Sequence, residues 1–396
     1  MKKAWLVTVL TAAATLLAFS FIYSFWSQKT GEDVLKVGFI YEDDESTPYT
    51  YNFALAENML TEKYPERVST VSRSNVLESA AEDHLRDLVR KGCGIIFTNS
   101  YSPAFKELAP EFPEVQICQV SHLDEPPQEC PENYHTFKGE IYQGRYVSGV
   151  VAGLKLRDLL DHHNIKPEEA LVGYVGSFRN AEVVSGYTAF LLGVRSVAPE
   201  AVMRVRYTGS WSSFSAEKDC AEKLIEEGCV VISQHSDTIG PALACEEAAS
   251  RKQVYFVGYN QSMLDVAPTT ALVSTRINWT PYVLSAVEAV LEGITIEKYV
   301  DARNHGNDMS AGFERGWVEM LDLNSHIAVE GTRRKMQETI ERLKNGSLQV
   351  FQGNYTGVDL EDPDDTCDLT KGYRENARYS SPGFHYILKN VITEEN

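Results

Sequence analysis

What most constrains this chain is how its apolar strand runs end. Short β-rich runs lead repeatedly into a polar or aromatic cluster. Val37-Gly38-Phe39-Ile40 ends in Tyr41-Glu42-Asp43, and Gly94-Ile95-Ile96-Phe97 in Thr98-Asn99-Ser100-Tyr101. Val115-Gln116-Ile117-Cys118 leads to Ser121-His122, Leu171-Val172-Gly173-Tyr174 to Ser177-Phe178, and the run from Val202 to Tyr207 to Ser210-Trp211. Val230-Val231-Ile232-Ser233 ends in Gln234-His235-Ser236-Asp237, and Val254-Tyr255-Phe256-Val257 in Gly258-Tyr259-Asn260. Leu272-Val273-Ser274-Thr275 leads to Asn278-Trp279. A helical pattern follows most runs, which predicts parallel sheets. Ligands of open parallel sheets bind beyond the carboxyl ends of the strands. The noteworthy aromatic and amide groups are concentrated there, as a small-molecule cleft requires.

At 396 residues the chain is too long for one ordinary domain and suits two lobes with additions. A net charge of -19 with no basic stripe argues against nucleic acid as a partner. Lys2-Lys3 followed by an uncharged stretch from Ala4 to Trp26 reads as an export signal. Small residues at Ala18 and Ser20 permit cleavage after Ser20. The length of the run favours an uncleaved anchor with the bulk of the chain outside the cytoplasmic membrane. The seven cysteines contain no CxxC spacing, so a structural zinc site is not expected. Cys220 and Cys245 fall on successive helices and could pair; buried free thiols are the alternative. No cofactor and no metal are expected.

The element pattern gives an α/β fold with two doubly wound parallel-sheet lobes. Residues 1–28 form the signal or anchor helix, 34–136 the first lobe and 137–275 the second. Residues 276–310 return toward the first lobe, and 311–396 form an extension packed on both. Within the extension a helix is expected from Ile327 to Asn345, stopped by Gly346. Two similar lobes on an exported chain, with converging strand ends, suggest a ligand-binding protein that closes about a hinge.

The stretch Gly139-Glu140-Ile141-Tyr142-Gln143-Gly144-Arg145-Tyr146-Val147-Ser148-Gly149-Val150-Val151-Ala152-Gly153 resembles the signature helix of the Bmp (basic membrane protein) family. Matches continue through Val172-Gly173-Tyr174-Val175, Phe178, Glu182-Val183 and the run from Phe190 to Val197. They resume at Ser210-Trp211, Gln234-His235-Ser236-Asp237, Gly258-Tyr259-Asn260 and Asn278-Trp279-Thr280-Pro281-Tyr282, so the likeness covers roughly 35 to 300. It implies a type I periplasmic-binding fold and an extracytoplasmic receptor that delivers a purine base or nucleoside to an ABC permease.

A purine calls for aromatic faces and for amides or carboxylates at its edge. Tyr49, Phe178, Trp211 and Trp279 are the candidate faces. Asn99, Gln234, Asp237 and Asn260 are the candidate edge partners. Each has a plainer reading: the rings as packing between lobes, Asn260 as a turn cap, Asn278 as a helix start. The acidic loop Glu42-Asp43-Asp44-Glu45 departs from the Gly-rich loop usual in the family, and no ribose-binding Asp is assigned there. Two other functions are open: a membrane-tethered ligand sensor on the same fold, or an enzyme such as a nucleoside hydrolase. The hydrolase needs paired carboxylates or a metal at the strand ends, which the sequence does not supply.

Overall fold

The computed structural model describes residues 34–121 and 130–395. The expected signal or anchor at 1–28 and His122 lie outside the described residues. Among those described, no helix is long and apolar enough to cross a membrane.

The first lobe begins with β1 (Leu35–Ile40), α1 (Pro48–Lys63), β2 (Val68–Arg73), α2 (Ala81–Arg90), β3 (Cys93–Thr98), α3 (Ala104–Leu108), β4 (Gln116–Val120) and β5 (Tyr134–Gly139). The chain then crosses to the second lobe. There it forms α4 (Tyr142–Asp161), β6 (Leu171–Gly176), α5 (Ala181–Arg195), β7 (Val202–Tyr207), α6 (Phe214–Glu226), β8 (Val231–His235), α7 (Gly240–Ala248), β9 (Tyr255–Tyr259) and β10 (Ala271–Ile277). It returns to the first lobe through α8 (Thr280–Glu292), α9 (Ile296–Tyr299), β11 (Arg303–Asn304) and β12 (Asp308–Ala311). A third crossing leads to β13 (Val318–Met320) and α10 (Thr332–Lys344), and then to β14 (Thr356–Val358), β15 (Thr366–Asp368), β16 (Ile387–Leu388) and β17 (Ile392–Glu395).

Two seven-stranded sheets result, in the orders β11-β12-β5-β4-β3-β1-β2 and β13-β10-β9-β8-β6-β7-β17. Both are parallel except where β11 meets β12 and β13 meets β10. In each sheet the strand order reverses at a switch point, β1/β3 in one lobe and β6/β8 in the other. Connections leaving such a point on opposite faces open a crevice at the carboxyl ends. Topology therefore gives each sheet a crevice at its carboxyl ends.

The three crossings meet at Gly139. A Cβ there would sit 2.7 Å from the Ile277 side chain and 3.1 Å from the Trp317 carbonyl. Asn278 N donates to that same carbonyl at 2.8 Å. Its side-chain oxygen accepts from Thr280 N at 3.2 Å, so Asn278 both joins the hinge and starts α8.

The second lobe is built on the contact between α4 and α5. A Cβ on Gly149 would lie 2.0 Å from the Phe190 carbonyl oxygen, and one on Gly193 2.1 Å from that of Tyr146. The small residues of the α4 segment are there because two backbones touch.

Several details differ from the sequence expectations. β5 runs through residue 137, where the second lobe was expected to begin, because its buried His135, Thr136 and Lys138 disguise a strand. The extension does more than pack on the lobes, since β13 and β17 complete the second sheet. α10 starts at Thr332 rather than near Ile327, after Gly331 takes φ 83°. All seven cysteines are free, and Cys245 is fully buried, so Cys220 and Cys245 do not pair.

Candidate functional site

The second lobe presents a continuous series of rings. Phe178, just past β6, meets Trp211 with centroids 5.8 Å apart. Trp211 meets His235 at 6.2 Å, and His235 meets Tyr259 at 4.8 Å. The Arg145 guanidinium lies over the Tyr259 ring at 3.8 Å and donates to the Gln234 carbonyl at 2.7 Å. Asn180 caps α5 by accepting from Val183 N at 3.0 Å, which fixes the turn that carries Phe178. Asp237 N donates to the Trp211 carbonyl at 2.9 Å, so the two strand-end loops hold each other.

The first lobe supplies Tyr49, Asn52 and Tyr101. Tyr49 meets the edge of Trp279 at 5.8 Å. Burial raises the pKa of the Tyr49 hydroxyl, and so do Tyr101 of its own lobe and Glu182 and Tyr259 across the cleft. The lobes also touch directly. Lys138 Nζ meets Glu182 Oε2 at 2.9 Å, and Asn52 Nδ2 donates to the Asn260 carbonyl at 2.9 Å.

Buried polar atoms without a partner gather between these walls. They include Arg145 Nε and Nη2, His235 Nδ1, Gln234 Oε1 and Ser177 Oγ. Such atoms cost about 1–3 kcal/mol each when left unpaired, so their concentration in one place points to a polar ligand that satisfies them. Burial, followed by the Glu217 charge, pushes Asp237 up to about 8, which leaves it a neutral acid able to donate as well as accept. Burial, then Arg145 and Lys138, hold His235 well below its ordinary value, as a neutral imidazole. The cleft therefore offers flat rings beside a mostly uncharged hydrogen-bonding edge.

The expected site residues divide accordingly. Phe178 and Trp211 stand together, with Phe178 40% exposed. Asp237 and Asn260 lie close together, and Asn260 holds φ 60° in the turn past β9. Gln234 spends its Nε2 on the Ser236 and Thr238 carbonyls and keeps Oε1 open. Asn99 is a brace: it accepts from Glu42 N at 2.9 Å and donates to Thr50 Oγ1 at 3.3 Å. Trp279 is 1% exposed, packed on Phe53 and Phe137 behind Tyr49, with its Nε1–H unpartnered. Sequence reasoning does not single out Arg145, Lys138, Glu182 or Tyr259. The one signal for Arg145 was a charge in the middle of a Gly-rich apolar helix. In the acidic loop, Asp44 accepts from Ser46 N at 2.9 Å and is solvated.

A family model described as ABC transporter substrate-binding protein, PnrA-like, matches residues 47–348. The chain belongs to the Bmp family. A purine-binding protein of Brucella abortus is 29% identical over 327 residues, 81% of this chain and 84% of its own. A Haloferax volcanii protein named as a putative ABC transporter glucose-binding protein is 28% identical over 297 residues, 74% of this chain and 66% of its own. Among solved structures, a solute-binding protein from Aeropyrum pernix superposes with a TM-score of 0.64 at 16% identity, over 80% of this chain and 92% of that one. That likeness shows the bilobal fold. As a Bmp protein the chain has a solute-binding role with an ABC transporter, and proteins of this class work outside the cytoplasm.

Proposed function

We propose that this Bmp protein captures a purine base or nucleoside between its lobes and hands it to an ABC permease, without chemistry of its own. The observation that carries the reading is the Phe178–Trp211 pair beside the neutral edge of Asp237, Asn260 and His235. A purine has a flat π surface and a rim of mixed donors and acceptors, and stacking contributes about 1–3 kcal/mol per base. A hexose offers C–H groups and hydroxyls in place of a π face and a rim of ring nitrogens, so it would use the rings but not the mixed donor and acceptor edge. The purine-binding relative in Brucella points the same way. We place the apolar stretch at 1–28 as the link to the cytoplasmic membrane.

Calorimetry with adenine, guanine, adenosine, inosine and glucose tests the ligand class. Purines should bind and glucose should not; the reverse order rejects the proposal. Trp211→Ala and Phe178→Ala should each weaken purine binding by about 1–3 kcal/mol. Their melting temperatures should stay near that of the parent, because neither ring belongs to the buried core. Steady release of ribose from inosine or adenosine would instead favour a hydrolase.

A further inference from the structure

The family match ends at residue 348, yet the chain beyond it is fastened to both lobes. On the first lobe, Ser381 Oγ lies 2.7 Å from Ser121 Oγ, just past the carboxyl end of β4. Ser380 N donates to Asp308 Oδ2 at 2.6 Å, and its hydroxyl donates to Asp308 Oδ1. The Asn376 carbonyl is 3.2 Å from Arg303 Nη1 and 3.2 Å from His305 Nε2. On the second lobe, β17 pairs with β7 along its length. Glu394 accepts from Tyr187 at 2.8 Å and pairs with Arg179 at 3.0 Å. Between these anchorages Tyr379, Gly383 and His385 pass Arg179 and Asn180 at the start of α5, across a cavity of about 430 Å³.

Both attachment zones matter for motion. Ser121 follows a first-lobe strand and Arg179 follows a second-lobe strand, so each sits at the carboxyl-end rim of its sheet. We infer that residues 376–385 form an interlobe strap across one end of the cleft, which holds the closed form and releases the first lobe when the cleft opens. Rotation about the crossings near Gly139 separates the two rims, and a segment tied to both must let go of one. The second-lobe tie is a strand ladder reinforced by ion pairs. The first-lobe tie is a handful of hydrogen bonds, and it is the weaker side.

The test uses the full chain with Ser380→Ala and Ser381→Ala combined, which removes two hydroxyl ties and leaves the ladder intact. Small-angle scattering without ligand should shift to a larger radius of gyration than the parent's. Hydrogen exchange should show lost protection at residues 376–385. A folded variant with unchanged scattering and unchanged protection overturns the strap. A second variant covers the case of misfolding: Ser121→Cys with Ser381→Cys replaces two hydroxyls already in contact. Oxidised, it should stay compact where its dithiothreitol-reduced form expands, with Ser121→Cys alone as control. Equal expansion of the oxidised and reduced forms also overturns it. Scattering reads lobe separation and not ligand identity, so an error in the purine assignment leaves this result interpretable.

Discussion

Asp237→Asn should stabilise the ligand-free protein at pH 8 while weakening its ligand binding. Burial, then Glu217, raises the folded-state pKa of Asp237 to about 8, from an ordinary value of 3.8. The folded protein therefore keeps a proton that the unfolded chain gives up near pH 4. Stability falls as pH rises through the window between those values, and the full cost is present above pH 8. The slope amounts to about 1.4 kcal/mol per pH unit while the two states differ by one proton. Asparagine has no proton to lose, so this contribution to the slope between pH 5 and pH 8 should vanish and the melting temperature at pH 8 should rise. The ligand, in turn, exchanges a carboxyl O–H donor for a weaker amide donor, and binding should fall by about 0.5–1.5 kcal/mol. Thermal melts across pH, paired with calorimetry at pH 7, check both halves. A lower melting temperature with the parent's pH slope would mean that Asp237 is not the buried acid described.

Gly149→Ala should destabilise the second lobe by about 3 kcal/mol, near the upper end for overpacking. Helix propensity predicts the opposite sign, since alanine beats glycine by about 1 kcal/mol inside an exposed helix. Geometry decides between them. The added methyl would fall 2.0 Å from the Phe190 carbonyl oxygen, and both clashing partners are helix backbone that cannot rotate aside. Gly193→Ala meets the Tyr146 carbonyl at 2.1 Å from the other side and should behave alike. Separation of the helices would also move Arg145, one turn earlier on α4, so binding should fall beyond the loss of stability. Urea unfolding gives the first quantity and calorimetry the second. A stabilised Gly149→Ala variant would show that the helices do not touch as described.

Much of this was legible in the sequence because strand ends are local. Apolar runs, most of them followed by a helical pattern, announced the parallel sheets. What stayed hidden depends on partners far along the chain. Lys138 made β5 look unlike a strand until Glu182 came to meet it across the cleft. Arg145 gains meaning only when α4 lies beneath Tyr259. Trp279 and Asn99 follow strand ends as Phe178 and Trp211 do. Packing turned Trp279 toward Phe53 and Phe137, and the Glu42 amide engaged Asn99, both facts of three-dimensional neighbourhood. The Gly-rich signature marked α4 for resemblance, but its cause, contact between two backbones, needed the second helix.

The interleaving of the two sheets bears on the birth of the molecule. β5 waits for Asp308–Ala311, and β7 waits for Ile392–Glu395. Such distant pairings are slow to form, because a long loop must close before any contact rewards it. Neither half can seal while its later strands are still in transit. A polypeptide threaded outward across a membrane would thus remain pliable until almost its whole length had emerged.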